Sequence, residues 1–170
     1  MAAEQHGGLV SVAIRRARAS DVDALVELTL LAFVPVFDSF RDLLGPAIYA
    51  KIWPNWQKTQ REAVESFCND SREQVVLVAE VEGAVVGLVV YRQQAGASKA
   101  EVQFLAVHPD YQNRGIGTRL NECALQEMRS AGAELAVVET GGEASHAPAR
   151  RSYEKAGYTA LPLVRYFKKL

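Results

Sequence analysis

Cysteine is scarce in this 170-residue chain, which contains only Cys68 and Cys123. The two residues lie far apart in the sequence, and both fall in segments with helical spacing. A structural metal site normally groups its cysteines closely with histidine or with a second pair, and the sequence has no such cluster. We therefore expect two buried free thiols in a reducing compartment, with no disulfide framework and no metal.

The chain also has almost no excess charge and no long apolar run. Its 19 basic and 20 acidic residues give a formal net charge of −1, so no overall field attracts nucleic acid or an anionic membrane. The longest apolar runs have the length of strands and are too short to span a bilayer. Residues 1–8 lack the basic and apolar regions of a signal peptide. These features predict a cytoplasmic protein that binds neither nucleic acid nor a membrane.

The remaining composition is that of an ordinary globular protein. Hydrophobic residues make up 49% of the chain and charged residues 23%, which argues against disorder. A length of 170 residues fits one domain with a full core. We expect a flexible N-terminal tail over residues 1–9 and a single domain over residues 10–170.

The first half of the domain reads as one strand followed by helices. Residues 10–14 alternate toward a strand, and Ser20 and Asp21 are typical residues for a helix start. Proline removes a backbone donor, so the first helix is predicted to end at Pro35. A second helical region is predicted over residues 41–69, with interruptions at Gly45-Pro46 and at Pro54.

The second half changes to the two-residue period of strands. Two β-branched runs flank Glu82-Gly83 and predict a hairpin. The predicted elements are strands at 75–79, 84–92 and 100–107, a helix at 115–131, a strand at 134–140, a helix at 147–156 and a strand at 158–170. This order predicts a mixed sheet with helices on its faces, and is too irregular for a doubly wound nucleotide-binding fold.

The segment Gln112-Asn-Arg-Gly-Ile-Gly-Thr118 is the most informative stretch. It follows a predicted strand and opens a helix, whose first turn has free backbone N–H groups and the positive end of the dipole. Gly115 and Gly117 remove the Cβ atoms that would keep a phosphate away. The pattern is not G-x-G-x-x-G, because Leu120 occupies the third position after Gly117, and no Gly-Lys-Ser/Thr is present. We therefore predict a diphosphate site, against the alternative of a loop without a ligand.

Residues 102–117, Val-Gln-Phe-Leu-Ala-Val-His-Pro-Asp-Tyr-Gln-Asn-Arg-Gly-Ile-Gly, resemble the acetyl-CoA-binding motif of the GNAT superfamily of N-acetyltransferases. Ile14–Asp21 resembles the first strand and helix start of that family, and Ser152–Tyr158 its last helix and following strand. The resemblance covers nearly the whole domain. It implies an α/β fold with a mixed, mostly antiparallel sheet, two central parallel strands that splay apart, and helices on both faces.

The resemblance also implies where acetyl-CoA binds. The CoA diphosphate would lie on the loop and first helical turn, and the pantetheine arm would pair with the preceding strand. The implied cofactor-binding residues are Leu105, Ala106, Val107, Gln112, Asn113, Arg114, Gly115, Ile116, Gly117, Thr118 and His146. At the position of His146 the family often has an asparagine that contacts the CoA arm. Arg150 and Arg151 are either phosphate contacts or solvated helix charges.

Two catalytic residues follow from the resemblance. Tyr153 corresponds to the general acid that protonates the leaving thiolate. Glu101 lies where histone-acetylating relatives carry a catalytic glutamate, and a base is useful because an alkyl amine with a pKa of ~10.4 is mostly protonated near neutral pH. Glu139, His146 and a water molecule remain alternative bases.

The implied reaction is direct transfer of an acetyl group to a primary amine within a ternary complex. A small-molecule amine is the favoured acceptor, and a protein N-terminus or a lysine side chain is the alternative. An aromatic-rich region of the predicted helices is expected to wall the acceptor cleft; it comprises Phe33, Phe37, Phe40, Tyr49, Trp53 and Trp56. A non-catalytic CoA-binding sensor and a domain for another diphosphate are the rival functions. Because related domains often pair, a homodimer is also considered.

Overall fold

The computed structural model describes residues 11–69 and 74–170. Within these residues five strands form one sheet in the order β1-β2-β3-β4-β5. The strands are β1 (Val12–Arg16), β2 (Gln74–Val81), β3 (Ala84–Arg92), β4 (Lys99–Val107) and β5 (Leu135–Val138). The helices are α1 (Val22–Ile52), α2 (Trp56–Asn69), α3 (Ile116–Ser130) and α4 (Ala147–Lys155).

The sheet is mixed, as predicted. Strands β1 to β4 pair in antiparallel fashion, and β4 pairs with β5 in parallel. Helices α1 and α2 pack on one face of the sheet and α3 packs on the other. The mixed α/β class with helices on both faces is therefore confirmed.

Strand β3 is buried on both of its faces, because the sheet lies between two helical layers. Leu88 and Val90 pack with α1 and α2, while Val89 and Tyr91 pack on the side of α3. All four side chains are at most 4% exposed. Each buried side chain of this size contributes roughly 1.5–3 kcal/mol of transfer free energy, so the two clusters anchor the sheet that carries the site.

The turn between β2 and β3 has the predicted form of a tight hairpin. Glu82 and Gly83 have φ values of 51° and 84°. Two positive φ values in a two-residue turn match the right-handed twist of the flanking strands. Glycine supplies the second value without a steric cost.

Strand β4 contains a bulge at the point where its parallel partner ends. Val90 pairs with Phe104 but Tyr91 pairs with Val102, so Gln103 is an extra residue in β4. The last β4 residue paired with β5 is also Val102, which lies opposite Val138. Beyond it, β4 continues to Val107 with no described strand on that side. The parallel pair is therefore not central, contrary to the expectation, because β5 is the edge strand of the described sheet. It pairs with β4 only from Lys99 to Val102.

The predicted end of the first helix at Pro35 is wrong. Helix α1 continues through Pro35 and is interrupted only at Gly45, where φ is 70° and ψ is 159°. Pro35 has no backbone N–H, so the carbonyl of Leu31 loses its hydrogen bond within the helix. Leu31 lies on the exposed side of the helix and is 42% exposed. Water can solvate that carbonyl, while Val36 and Phe37 keep the opposite face buried.

The predicted strand over residues 158–170 is also wrong. The segment has no regular secondary structure. Its side chains are largely exposed, with exposed fractions of 80% for Leu161, 77% for Leu163 and 90% for Tyr166. Strand propensity does not form a strand unless a neighbouring strand accepts its backbone hydrogen bonds. The first strand begins two residues later than predicted, at Val12, and the predicted tail over residues 1–9 lies outside the described residues.

Both cysteines are free thiols, but they are half-buried rather than buried. Burial raises the pKa of Cys68 and of Cys123 above the usual value for a thiol. No helix in the described part of the chain has the length and apolar character needed to cross a membrane.

A charged network joins β1, β2 and the start of α1. The Arg15 guanidinium donates to both carboxylate oxygens of Asp21, at 2.7 and 3.1 Å, and also to Glu80 at 2.8 and 2.9 Å. The Arg18 backbone N–H donates to Asp21 at 2.7 Å. The hydrogen bond from Arg15 holds the pKa of Asp21 below its usual range, against the opposing effect of burial.

We predict that Asp21→Asn lowers the free energy of unfolding by about 2 kcal/mol, because it removes charge-assisted hydrogen bonds to a 6% exposed residue. A carboxyl whose pKa is lowered in the folded state stabilises the fold above its unfolded pKa of ~3.9, and this contribution is lost as pH falls through the folded value. Urea unfolding of both proteins between pH 3 and pH 7 measures the difference, which should shrink at the acid end. Asp23→Asn, at an exposed position in the same turn, serves as the control, and an equal loss in both variants would contradict the assignment.

Candidate active site

The loop that leads into α3 is shaped by two residues in the left-handed region. Asn113 has a φ of 60° and Gly115, the N-cap residue of α3, has a φ of 77°. A short 3₁₀ turn over Pro109–Tyr111 follows β4. Asn113 and Gly115 then redirect the chain into α3. An asparagine and a glycine are the residue types that adopt this conformation most easily.

The start of α3 presents free backbone amides. The first hydrogen bond of the helix joins Arg119 N–H to the Gly115 carbonyl at 3.0 Å. The N–H groups of Ile116, Gly117 and Thr118 therefore have no partner within the helix. Together with the positive end of the helix dipole, these amides form an anion site large enough for a phosphate group.

The side chains of the loop make contacts that support its shape. Gln112 is exposed and its Nε2 donates to the Val107 carbonyl at 3.0 Å. The Arg114 guanidinium lies 5.2 Å from the centre of the Tyr111 ring, within the range of a cation–π contact. Ile116 is only 2% exposed, so this residue can offer a ligand its backbone amide but not its side chain.

The separated segment of β4 lies directly against the start of α3. A Cβ atom on Gly117 would lie 3.6 Å from Val107 and 3.9 Å from Leu105, in ordinary contact. Ala106 points to the opposite face and is 5% exposed. Since β5 ends opposite Val102, alternate backbone groups of the segment face an open edge and can pair with an extended ligand.

Helix α4 brings Tyr153 to this region. The Ser152 hydroxyl lies 3.2 Å from that of Thr118 and so joins α4 to the first turn of α3. Tyr153 is 7% exposed and packs edge-on against the Tyr158 ring, with centroids 5.6 Å apart. Burial, with a smaller contribution from Tyr158, raises the pKa of Tyr153 to about 12. The phenol therefore keeps its proton near neutral pH and can act as a proton donor.

His146 lies at the other end of α4, in a short 3₁₀ turn over Ala144–His146. Its Nδ1 contacts the Glu143 carboxylate, and its ring stacks against Phe40 of α1 with centroids 6.0 Å apart. Arg150 does not face the loop of α3. Its guanidinium donates to the carbonyls of Gly141 at 2.5 Å and Glu143 at 2.7 Å, and Arg151 is exposed.

Glu101 and Glu139 lie apart from the loop of α3. Glu101 is half-buried in β4, between Arg92 of β3 and Val137 of β5, two residues before the bulge. Its side chain makes no hydrogen bond or ion pair with the described residues. Glu139 follows the end of β5 and is exposed. The described residues contain no group of three or more His, Cys, Asp or Glu side chains that could hold a metal ion.

A continuous set of aromatic rings covers the sheet on the side of α1 and α2, and we call it the aromatic wall. Phe104 of β4 stacks on Phe33 at 5.0 Å, and Phe37 stacks on Trp56 at 4.3 Å. Its members are Phe33, Phe37, Phe40, Tyr49, Trp53, Trp56, Phe67 and Phe104, joined in pairs by centroid distances of 4.3–6.3 Å. The wall ends at His146.

Comparison with protein families identifies this arrangement. The family model of the GNAT acetyltransferases matches residues 38–158, which include the separated strand, the loop of α3 and helix α4. The chain belongs to the GNAT acetyltransferase family. It is accordingly an acyltransferase. A search of the curated proteins by sequence gave no significant match.

Solved structures share the fold of this acetyltransferase. A GNAT-family protein from Desulfovibrio desulfuricans is 22% identical, with a TM-score of 0.68 and coverage of 89% of this chain and 87% of that chain. A GNAT acetyltransferase from Brucella melitensis in complex with acetyl-CoA is 26% identical, with a TM-score of 0.62 and coverage of 89% and 84%. The PaiA N-acetyltransferase from Thermoplasma acidophilum in complex with coenzyme A is 21% identical, with a TM-score of 0.66 and coverage of 88% and 90%.

Sequence reasoning missed Glu143 and Ser152 and misread Arg150. Glu143 precedes His146 by three residues, a spacing that brings two side chains together in a helical turn and could have been noticed. The contact between Ser152 and Thr118 joins residues 34 positions apart, so no local pattern reveals it. The role of Arg150 depends on the course of the loop, which its charge alone does not indicate.

We predict that Gly117→Glu abolishes binding of acetyl-CoA without unfolding the acetyltransferase. A glutamate in the first turn is favourable to the helix dipole and to helix propensity, but its charge repels a diphosphate at the free amides. Acetyl-CoA at 100 times its Kd stabilises the wild type by about 2.7 kcal/mol, which raises Tm by roughly 5–10 °C for a domain of this size.

The measurement is a thermal shift with acetyl-CoA and with CoA. Gln126→Glu, which adds the same charge at an exposed position in the middle of α3, should retain the full shift. A Gly117→Glu protein that still responds to acetyl-CoA would place the diphosphate elsewhere.

Proposed function

We propose that this acetyltransferase moves the acetyl group of acetyl-CoA directly to a primary amine in a ternary complex, with Tyr153 as the general acid. One observation carries the proposal. The first turn of α3 with its free amides lies against the segment of β4 that β5 does not pair with, and the contact between Ser152 and Thr118 brings the helix that carries Tyr153 to the same turn.

The donor is held by backbone groups in this proposal. The amides of Ile116, Gly117 and Thr118 bind the diphosphate of acetyl-CoA. The segment Leu105–Val107 pairs with the amide groups of the pantetheine arm, as a further strand would. Bound acetyl-CoA supplies an activated acetyl thioester. An extended arm fits an edge that lacks its parallel partner.

Tyr153 then protonates the leaving sulfur. Its pKa of about 12 keeps the proton on the phenol until a strongly basic thiolate develops beside it. The hydroxyl makes no hydrogen bond within the described chain, so its proton is not committed to another acceptor. Glu101 or a water molecule removes the proton of the amine in the reaction that the family resemblance implies.

A covalent acetyl-enzyme is not part of the proposal. Neither Cys68 nor Cys123 contacts a histidine in the described chain, and burial raises the pKa of both thiols. A thiol in such surroundings is a poor nucleophile at neutral pH. Cys123 also lies on the face of α3 that borders Arg16 and Glu127, away from Tyr153.

A small-molecule amine is the proposed acceptor. The fold recurs in the aminoglycoside acetyltransferase AAC(6′)-Iy in complex with a bisubstrate analogue, which is 12% identical with a TM-score of 0.63. It also recurs in a ribosomal-protein-alanine N-acetyltransferase from Brucella melitensis, which is 17% identical with a TM-score of 0.63. At these identities only the fold is shared, and the choice of a small amine over a protein amine stays a prediction. The cytoplasmic location and a homodimer stay predictions.

We predict that Tyr153→Phe lowers kcat by about 10²- to 10⁴-fold, the usual contribution of a general acid. The Tm and the thermal shift with acetyl-CoA should stay unchanged, because the hydroxyl has no hydrogen bond to lose. Free-thiol release from acetyl-CoA with spermidine, tyramine, kanamycin and a lysine peptide measures the rate. Tyr158→Phe, which removes the hydroxyl of the neighbouring ring, should retain kcat within about threefold.

The rival function, a CoA-binding sensor, has a different signature. It predicts a thermal shift with acetyl-CoA but no thiol release with any amine. Wild-type turnover that survives Tyr153→Phe would instead remove the acid role and leave the acetyltransferase activity in place.

A further inference from the structure

The loop between β5 and α4 holds a carboxylate against an imidazole. Glu143 contacts Nδ1 of His146 and accepts a hydrogen bond from the Ser145 hydroxyl at 2.8 Å. The side chains of Glu143 and His146 are 12% and 19% exposed. Burial raises the pKa of Glu143, but the hydrogen bonds from His146 and Ser145 outweigh it and hold the pKa below its usual value. Glu143 is therefore a carboxylate at neutral pH.

The carboxylate determines which nitrogen of His146 carries the proton. An ionised Glu143 can only accept, so Nδ1 must donate to it. In the neutral imidazole, Nε2 then has a free lone pair and can only accept a proton. An asparagine at this position, as the family often has, would offer an N–H donor and no comparable base.

The pair is built into the loop. Arg150 binds the carbonyls of both Gly141 and Glu143 and so fixes the backbone on each side of Gly142. A Cβ atom on Gly141 would collide with the Glu143 carboxylate and with Nδ1 of His146. The two side chains pack directly on the Gly141 backbone, and only glycine leaves room for them.

Helix α4 places this pair on the acceptor side of the site. The His146 ring stacks on Phe40, at the end of the aromatic wall, whereas Ser152 contacts the first turn of α3. His146 is the N-cap residue of α4, and Tyr153 lies seven residues further along the chain. The imidazole thus lies at the end of α4 that meets α1, and the phenol follows the residue that contacts the first turn of α3.

We propose that His146, oriented by Glu143, is the general base that takes a proton from the acceptor amine. The proposal rests on the proposed function and deepens it. The amine nitrogen forms a bond to the acetyl carbonyl carbon while its proton passes to Nε2 of His146. The C–S bond then breaks, and the electron pair on sulfur takes the proton of Tyr153. Solvent returns the proton of His146 to Tyr153, which balances the reaction.

This assignment differs from the one that the family resemblance implies. Glu101 lies in the paired part of β4, before the bulge and between two neighbouring strands. His146 lies at the end of the aromatic wall and has a dedicated partner in Glu143. Glu143 is a positioning residue here, because it acts through His146. The charged group in contact with His146 is Glu143, Arg150 binds the loop backbone through the Gly141 and Glu143 carbonyls, and Phe40 of α1 stacks on the imidazole ring.

His146→Asn tests the base directly. Asparagine restores the residue that the family often has, so it retains hydrogen bonding to the CoA arm but cannot take the proton. We expect kcat to fall about 10²- to 10³-fold, with the KM for acetyl-CoA and its thermal shift unchanged. A matched Glu101→Gln variant should lose less. The reverse order, with Glu101→Gln severely impaired and His146→Asn active, would overturn the proposal.

Glu143→Gln tests the positioning role. Its kcat should fall less than that of His146→Asn, with the KM for acetyl-CoA unchanged, because the imidazole stays in place but loses the partner that holds its proton on Nδ1. Glu154→Gln, at an exposed position on α4, should match the wild type. A Glu143→Gln protein with the kcat of the wild type would contradict the orienting role.

Nitrogen NMR of the histidine rings separates this inference from the proposed function. The wild-type spectrum should show His146 with its proton on Nδ1, and Glu143→Gln should lose that preference whether or not any amine is acetylated. Protonation on Nε2 in the wild type would overturn the proposal. Absence of thiol release with all four amines, in a protein that binds acetyl-CoA, would overturn the base together with the transferase reaction.

Discussion

The separation of β4 from β5 after Val102 is the constraint on which the rest of the site depends. A strand in the middle of a sheet normally pairs on both sides, and unpaired backbone groups are costly when buried. Here β4 keeps β3 as its partner up to Val107 but loses β5 five residues earlier. The bulge at Gln103 falls at that point and changes which side chains face α3. The open edge is therefore a built feature that an extended ligand can complete.

Helix α4 and the turn before it link the two helical layers, because they contact α3 at one end and α1 at the other. Ser152 contacts the start of α3, and His146 contacts α1 through Phe40. One short helix thus positions groups beside the donor loop and beside the aromatic wall. The wall closes the region on the side of α1, where Phe104 of β4 stacks on Phe33. In the reaction that we propose, the amine would enter along the wall, on the face of the sheet opposite α3.

Local sequence signals predicted the elements whose structure is decided locally. The hairpin at Glu82-Gly83 and the strand-loop-helix unit around Gly115 depend on backbone preferences of neighbouring residues. Pro35 and the tail over residues 158–170 were misread because tertiary context decides them. A helix tolerates Pro35 where the freed carbonyl faces solvent, and the tail has strand composition without a strand to pair with. The phosphate loop and the roles of Tyr153 and His146 stay predictions from local motifs, whereas no motif indicated the Glu143 partner or the contact of Ser152 with α3.

The two titratable groups on α4 owe their protonation to opposite environments. Burial without a hydrogen-bond acceptor keeps the proton on Tyr153. At the other end of the helix, hydrogen bonds from His146 and Ser145 keep Glu143 ionised in spite of burial, and the carboxylate in turn holds the proton of the imidazole on Nδ1. In the reaction that we propose, the site therefore begins with a proton donor on α4 and with a free lone pair beside the aromatic wall. That polarity matches acyl transfer to an amine, which must lose a proton at nitrogen and gain one at sulfur.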